Sequence, residues 1–155
     1  VDERSSLRNR FAAVEPPFFI SSQDDVPTIE ELEATAATAT RVEAANPGDV
    51  LTGDAGASGL ARGRARIIHD PADAGSLEPG DVLVAPITDP AWTPLFLPAA
   101  AVVVNVGALM SHAVIVAREL AIPCVIALEG ATDLIPDGAM IEVDGTAGTV
   151  TLIET

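Results

Sequence analysis

The sequence contains no lysine and no tyrosine, one cysteine (Cys124), one tryptophan (Trp92) and two histidines (His69 and His112). Each shortage removes a class of function. A single cysteine forms no internal disulfide, and with two distant histidines it makes no zinc site, so no metal site is expected. Eight arginines stand against 23 acidic residues, a formal net charge of −15. That balance argues against binding to nucleic acid or to an anionic membrane, both of which need a positive face. Aromatic residues make up 3% of the chain, too few for a base-stacking surface. The longest apolar stretch, AAAVVVNVGALM, is broken by Asn105 and Gly107 and falls short of a bilayer span. The opening VDERSSLRNR is charged where a secretion signal is apolar. The expectation is a soluble, cytoplasmic protein. It begins with Val1 rather than Met, as a piece of a longer polypeptide with a region upstream would.

What is present is a chain with a core. Hydrophobic residues are 48% of 155, enough for one domain and an appendage. Residues 1–49 read as a connector with one helix. EPPFFISSQDDVP is rich in turn formers. Thr28 and Glu31 then form a capping box, and the helix runs to about Ala45, where Asn46-Pro47-Gly48 stops it. The acidic IEELE is read as a solvated face near the helix N-terminus. From about residue 50 to 155 the pattern changes to short β-branched segments between Gly, Pro and Asp turns. Strands are expected at 64–69, 81–86, 100–105, 123–128, 139–143 and 148–153, with a helix at 111–121. The third strand, that helix and the fourth strand make a β-α-β unit, and the Asp-Gly of DGTA joins the last two strands. The fold class is α/β, with helices packed on a sheet or a pair of sheets.

His112 is the candidate for chemistry. It lies in GALMSHAVIVAREL, between a small-residue loop and an apolar helix. Ser111 is a natural N-cap, which makes His112 the first helical residue. The first-turn N–H groups of a helix lack intrahelical partners, and partial positive charge gathers there. A phosphoryl group on His112 would meet those donors, with the Ser111 hydroxyl adding another. The same positive end disfavours a second proton on the ring and leaves one nitrogen free to attack. Gly107 and Ala108 let the loop backbone come close, and Ala113 continues the first turn. An N-cap serine followed by an ordinary packed histidine would look the same in this stretch alone.

The longer context separates these readings. ASGLARGRARII, LEPGDVLVAPITDPAWTPLF, GALMSHAVIVARELAIPCVI and IPDGAMIEVDGTAGTV occur in this order and spacing between Leu51 and Ile153. In this the chain resembles the mobile phosphohistidine domain of phosphoenolpyruvate-utilising enzymes, which include pyruvate phosphate dikinase, phosphoenolpyruvate synthase, rifampin phosphotransferase and Enzyme I. The family pattern Gly-Gly-x-x-Ser/Thr-His-Ala-Ala-x-x-Ala-Arg-x-x-x-Ile-Pro falls here on Gly107, Ala108, Ser111, His112, Ala113, Val114, Ala117, Arg118, Ile122 and Pro123. Ala108 replaces the second glycine, and Asn105 stands where the family often has an acid.

The resemblance implies a swivelling domain of β/β/α type at 50–155, with 1–49 as hinge or upstream region. It implies that His112 is the nucleophile of a larger phosphotransferase, loaded from a donor in another domain and unloaded at a second site. ATP and Mg²⁺ are expected in an ATP-binding partner domain, and the acceptor in an acceptor-binding domain of the same polypeptide. This chain alone would turn over nothing. If Thr155 is the natural end, a rifampin-phosphotransferase-like order is favoured over a phosphoenolpyruvate-synthase-like one. The alternative is a noncatalytic docking module, supported by Ala108 and Asn105.

The remaining candidates are secondary. Thr88 and Asp89 match a recurrent family stretch and either line the His112 side or make the turn before Pro90. Arg118 lies more than half a turn off the His112 face, so a carboxylate partner is expected for it. GDAGASG is neither a P-loop nor a dinucleotide fingerprint and reads as a glycine-rich entry to the domain. His69 reads as a loop residue and Cys124 as inert core.

Overall fold

The computed structural model describes residues 28–31 and 44–154. The chain divides into two compact units, residues 1–41 and 42–155. In the first, the expected capping box is present. The Thr28 N–H donates to Glu31 Oε2 at 2.8 Å, and the Glu31 N–H donates back to Thr28 Oγ1 at 3.3 Å. The Thr28 N–H foremost, and then the Thr28 hydroxyl, which donates to Oε2 at 2.9 Å, hold the Glu31 carboxyl below its ordinary pKa. The bonds to the carboxylate are therefore complete at neutral pH and weaken as it takes up its proton. The rest of that helix, and the proline-rich segment before it, lie outside the described residues. Its expected end at Ala45 is not observed, since Ala44–Asn46 are not helical. The Ala45 N–H is instead donated to the Leu134 carbonyl at 2.8 Å, and Ala45 is buried in the second unit. That unit therefore begins ahead of the change in sequence pattern at residue 50.

The second unit is built from eight strands: β1 (Val50–Thr52), β2 (Asp54–Ala57), β3 (Leu60–Ile67), β4 (Val82–Ala85), β5 (Ala101–Val104), β6 (Cys124–Ile126), β7 (Met140–Asp144) and β8 (Thr149–Glu154). Among the described residues three α-helices accompany them: α1 (Thr93–Phe96), α2 (His112–Leu120) and α3 (Ala131–Leu134). The strand order is β1-β8-β7-β3-β4-β5-β6-β2. β3 carries the join. Its first half, Leu60–Arg64, pairs antiparallel with β7, and its second half, Ala65–Ile67, pairs parallel with β4. β4, β5 and β6 are parallel to one another, as a β-α-β crossover requires.

All of Val82–Ala85, Ala101–Val104 and Cys124–Ile126 is buried. Such runs mark strands covered on both faces. Alternate residues feed two cores. Val82, Val84, Ala101, Val103 and Val125 pack with Ile141, Val143, Val150 and Leu152 of the antiparallel layer and with α3. Leu83, Ala85, Val102, Val104 and Ile126 pack with Trp92, Leu95, Phe96, Ala113, Val114 and Ala117, beneath α1 and α2. The result is a β/β/α sandwich. No helix among the described residues is long and apolar enough to cross a membrane.

Each expected strand is present within a few residues, and the helix expected at 111–121 is α2. β1 and β2 were not expected. DAGA carries no β-branched residue, and β2 exists because it pairs antiparallel with β6. β3 begins four residues before the expected start, because Leu60–Arg64 pairs with β7, a partner remote in sequence.

The β7–β8 turn is a hairpin as expected, made by other means than a two-residue Asp-Gly turn. Asp144 Oδ1 accepts from Thr146 and Ala147 N–H, each at 2.9 Å, and Gly148 takes the left-handed conformation with φ of 73°. Gly145 supplies clearance. A Cβ there would run into the Ala57 carbonyl and lie 2.8 Å from the Cys124 nitrogen.

Two substitutions test this backbone. Gly145→Ala should lower unfolding free energy by about 2 kcal/mol or more through forced overpacking. Ala121→Gly should raise it by about 0.5–1 kcal/mol, since Ala121 closes α2 at a left-handed φ of 56°. Urea titration of each variant measures both, and no loss in the first would contradict the close approach at Gly145.

Candidate functional site

The loops that follow β4 and β5 leave the sheet side by side, at the carboxyl ends of parallel strands, where open α/β sheets place their ligands. After β4, Asp89 is extended (φ −133°, ψ 179°), and its Oδ1 accepts the Ala91 N–H at 2.8 Å. This cap starts a 3-10 turn at Pro90–Trp92, and α1 follows directly, with Pro94 in its first turn. Trp92, Leu95 and Phe96 bury their side chains in the core. That burial fixes Thr93 and the edge of Phe96 against the loop that follows β5.

On the β5 side, Asn105 and Val106 N–H donate to the Ala85 and Pro86 carbonyls, at 3.1 and 3.0 Å. Gly107 comes next. A Cβ there would lie 3.2 Å from Ile126 Cβ and 3.3 Å from Val104 Cγ2, so the loop descends where a side chain would crowd it. The Ala108 carbonyl accepts the Ser111 N–H at 2.8 Å and closes the turn before α2. Ala108 stays outside the left-handed region, so its methyl group brings no backbone strain. Ala113, Val114 and Ala117 bury the inner face of α2.

His112 opens the helix and is half-buried. Its Nδ1 lies 3.2 Å from Thr88 Oγ1 on the partly buried side. Its Nε2 lies 3.2 Å from Thr93 Oγ1 on the exposed side. Phe96 meets the ring edge-on, with centroids 5.6 Å apart and planes at 86°. The imidazole is thus held at both nitrogens and on one face.

The expected site residues divide accordingly. Thr88 joins His112, whereas Asp89 serves as the turn cap. Ser111 occupies the N-cap position, but its hydroxyl makes no capping bond, and Oγ is buried without a partner. Gly107 and Ala108 lie in the loop before α2, and Ala113 is buried in the core beneath it. Arg118 is not part of this group. The carboxylate partner expected for it is absent among the described residues, and its Nε donates to the Gly56 carbonyl of β2 at 3.1 Å. Arg118 also lines a cleft of about 400 Å³ with Ala57, Ser58 and Ile122, which contains none of the residues around His112.

Asn105 is a structural clamp. It donates to Thr132 Oγ1 at 2.9 Å and accepts the Thr132 N–H at 3.1 Å, tying the end of β5 to α3. His69 is exposed. Among the described residues no three His, Cys, Asp or Glu side chains converge on a metal position.

Thr93 was not singled out from the sequence. The available signal was its place before Pro94 at a helix start, directly after the Asp-Pro turn; only the fold shows that it faces His112.

One histidine thus stands at a helix N-terminus, over the carboxyl ends of parallel strands in a β/β/α sandwich. Residues 77–148 match the family model described as PEP-utilising enzyme, mobile domain. A rifampicin phosphotransferase of Bacillus cereus is 45% identical over 107 residues, covering 69% of this chain and 12% of that protein. A rifampicin phosphotransferase of Bacillus subtilis is 37% identical over 148 residues, covering 96% and 16%. A chondramide synthase of Chondromyces crocatus is 40% identical over 153 residues, covering 97% and 4%. The chain thus spans only a small part of the length of the curated relatives it matches. Aconitase X of Thermococcus kodakaraensis superposes with a TM-score of 0.54 at 18% identity, covering 69% of this chain and 100% of that one, a likeness of fold alone.

Burial pushes the Cys124 thiol up to about 12, so no thiolate is available near neutral pH. An aromatic disulfide reagent at about pH 8 should label Cys124 only as fast as the domain unfolds. Rapid labelling of the native chain would contradict its place in the core.

Proposed function

We propose that this domain is the phosphocarrier of a multidomain phosphotransferase and that His112 is transiently phosphorylated. The observation that carries the reading is the held imidazole at the start of α2, in a chain that matches the mobile-domain family model. Nε2, on the exposed edge of the ring, is the nitrogen that faces an incoming donor. Its lone pair forms the N–P bond as the P–O bond to the donor's leaving oxygen breaks, and that oxygen keeps the electron pair. The phosphoryl group then leaves Nε2 for an acceptor oxygen at a second site.

Ser111 supports the reading, because a buried hydroxyl without a partner is one that a phosphoryl oxygen can satisfy. The first-turn N–H groups at His112 and Ala113, with the loop at Gly107 and Ala108, offer the remaining donors. The donor is ATP with Mg²⁺, held by another domain of the same polypeptide, and the acceptor sits in a further domain. Exposed apolar residues on the same loops suit such encounters: Met110 (81% exposed) and Leu109 precede α2, Leu97 (71%) follows α1, and Ile87 precedes Thr88. The departures from the family pattern do not favour a noncatalytic module. Ala108 is unstrained, and the Asn105 side chain is engaged with Thr132 rather than with the ring.

Treatment with phosphoramidate followed by intact-mass measurement tests the reading. The chain and its His69→Ala variant should each gain one acid-labile phosphoryl group, and His112→Ala should gain none. No adduct on the unaltered chain, or equal labelling of all three, would remove the phosphocarrier function.

A further inference from the structure

The two threonines on the His112 ring are not equivalent. A hydroxyl has one proton to give. Thr93 Oγ1 lies 2.9 Å from the Pro90 carbonyl oxygen, which can only accept, and so its proton is committed there. Toward His112 Nε2 it presents a lone pair, and the 3.2 Å contact is a hydrogen bond only if Nε2 carries the proton. Thr88 Oγ1 has no other partner among the described residues and is free to donate to Nδ1. The resting neutral ring is therefore the Nε2–H form, with its lone pair turned inward onto Thr88.

We propose that Thr93 is a positioning residue that masks the exposed nitrogen of His112, holding the ring in the tautomer that cannot attack through Nε2. The inference rests on the phosphocarrier reading above. For transfer to begin, Thr93 must release Nε2, which loses its proton to solvent while Nδ1 gains one. The Thr88 hydroxyl, unpinned, then turns from donor to acceptor and takes the Nδ1–H. The Nε2 lone pair forms the N–P bond, the donor's P–O bond breaks toward its leaving oxygen, and Nδ1 keeps its proton throughout. The positive charge that the ring acquires is met by the Thr88 oxygen. Thr88 can therefore bond either tautomer, whereas Thr93, pinned by the Pro90 carbonyl, can bond only the Nε2–H form. Such a mask would keep the ring unreactive until a partner site displaces Thr93.

Two readouts on the whole chain decide this: ¹⁵N chemical shifts of His112 above its titration, and the initial rate of labelling by phosphoramidate. Thr93→Val, nearly isosteric, should lower the Nε2–H fraction and raise the labelling rate roughly three- to tenfold, the worth of one neutral hydrogen bond. Thr93→Ser should behave as the unaltered chain. Thr88→Val, which removes a partner from both tautomers, should not raise the labelling rate. An unaltered chain already in the Nδ1–H form, or a Thr93→Val variant with unchanged shifts or with labelling no faster than before, would overturn the proposal. If the unaltered chain takes no label on His112, the phosphocarrier reading fails, and the ¹⁵N shifts still decide whether Thr93 sets the tautomer.

Discussion

β4 and β5 are buried on both faces, and the placement of the site follows from that constraint. A strand covered on both sides can turn only at its ends, so the chain must leave β4 and β5 at their carboxyl edge and return over one face. The apolar character of Leu83, Ala85, Val102 and Val104 draws α1 and α2 onto that face, while Val82, Val84 and Val103 fasten the antiparallel layer to the other. His112 and its two threonines meet because they lie on neighbouring exits from adjacent parallel strands. Their distance in sequence, 24 residues from Thr88 and 19 from Thr93, has no bearing on it.

The join within β3 links the two layers of the domain through a single strand. One half of the strand belongs to the parallel sheet and the other to the antiparallel one. Arg66 lies beyond the changeover. Its Nε donates to the buried Asp81 carboxylate at 3.0 Å, and Asp81 also accepts the Glu78 N–H. A buried carboxylate held by a guanidinium and a backbone donor keeps the start of β4 in place. Glycines near the β2 edge play the complementary part by leaving space rather than filling it. The β7–β8 turn lies against Ala57 and Cys124 because residue 145 has no side chain.

Much of this was legible in the sequence, for physical reasons that can be named. VLVA, AVVV and CVI announce strands because β-branched runs have little other use in a short buried segment. α2 announced itself through Ser-His at its start and apolar periodicity after it. What was not legible depended on partners remote in sequence. DAGA becomes a strand only through β6, and Ala45 leaves the helical pattern because Leu134 offers its carbonyl. Ser111 was readable as an N-cap by position, but not that its hydroxyl would make no capping bond. Arg118 has the right type and spacing to meet a carboxylate, yet it reaches a backbone oxygen on the neighbouring edge strand. Around His112 the sequence pointed to one threonine, and the fold supplies two.

The buried hydroxyl of Ser111 also bears on energetics. A polar group enclosed without a partner costs the resting fold about 1–3 kcal/mol, and any state that gives it one recovers that sum. A phosphoryl group gripped by Ser111 would make the loaded domain the more stable of the two forms. The same grip subtracts from the group's transfer potential, since whatever stabilises a phosphorylated carrier weakens it as a donor. The strength of one hydroxyl contact would thus set a balance between how long the domain stays charged and how readily it discharges.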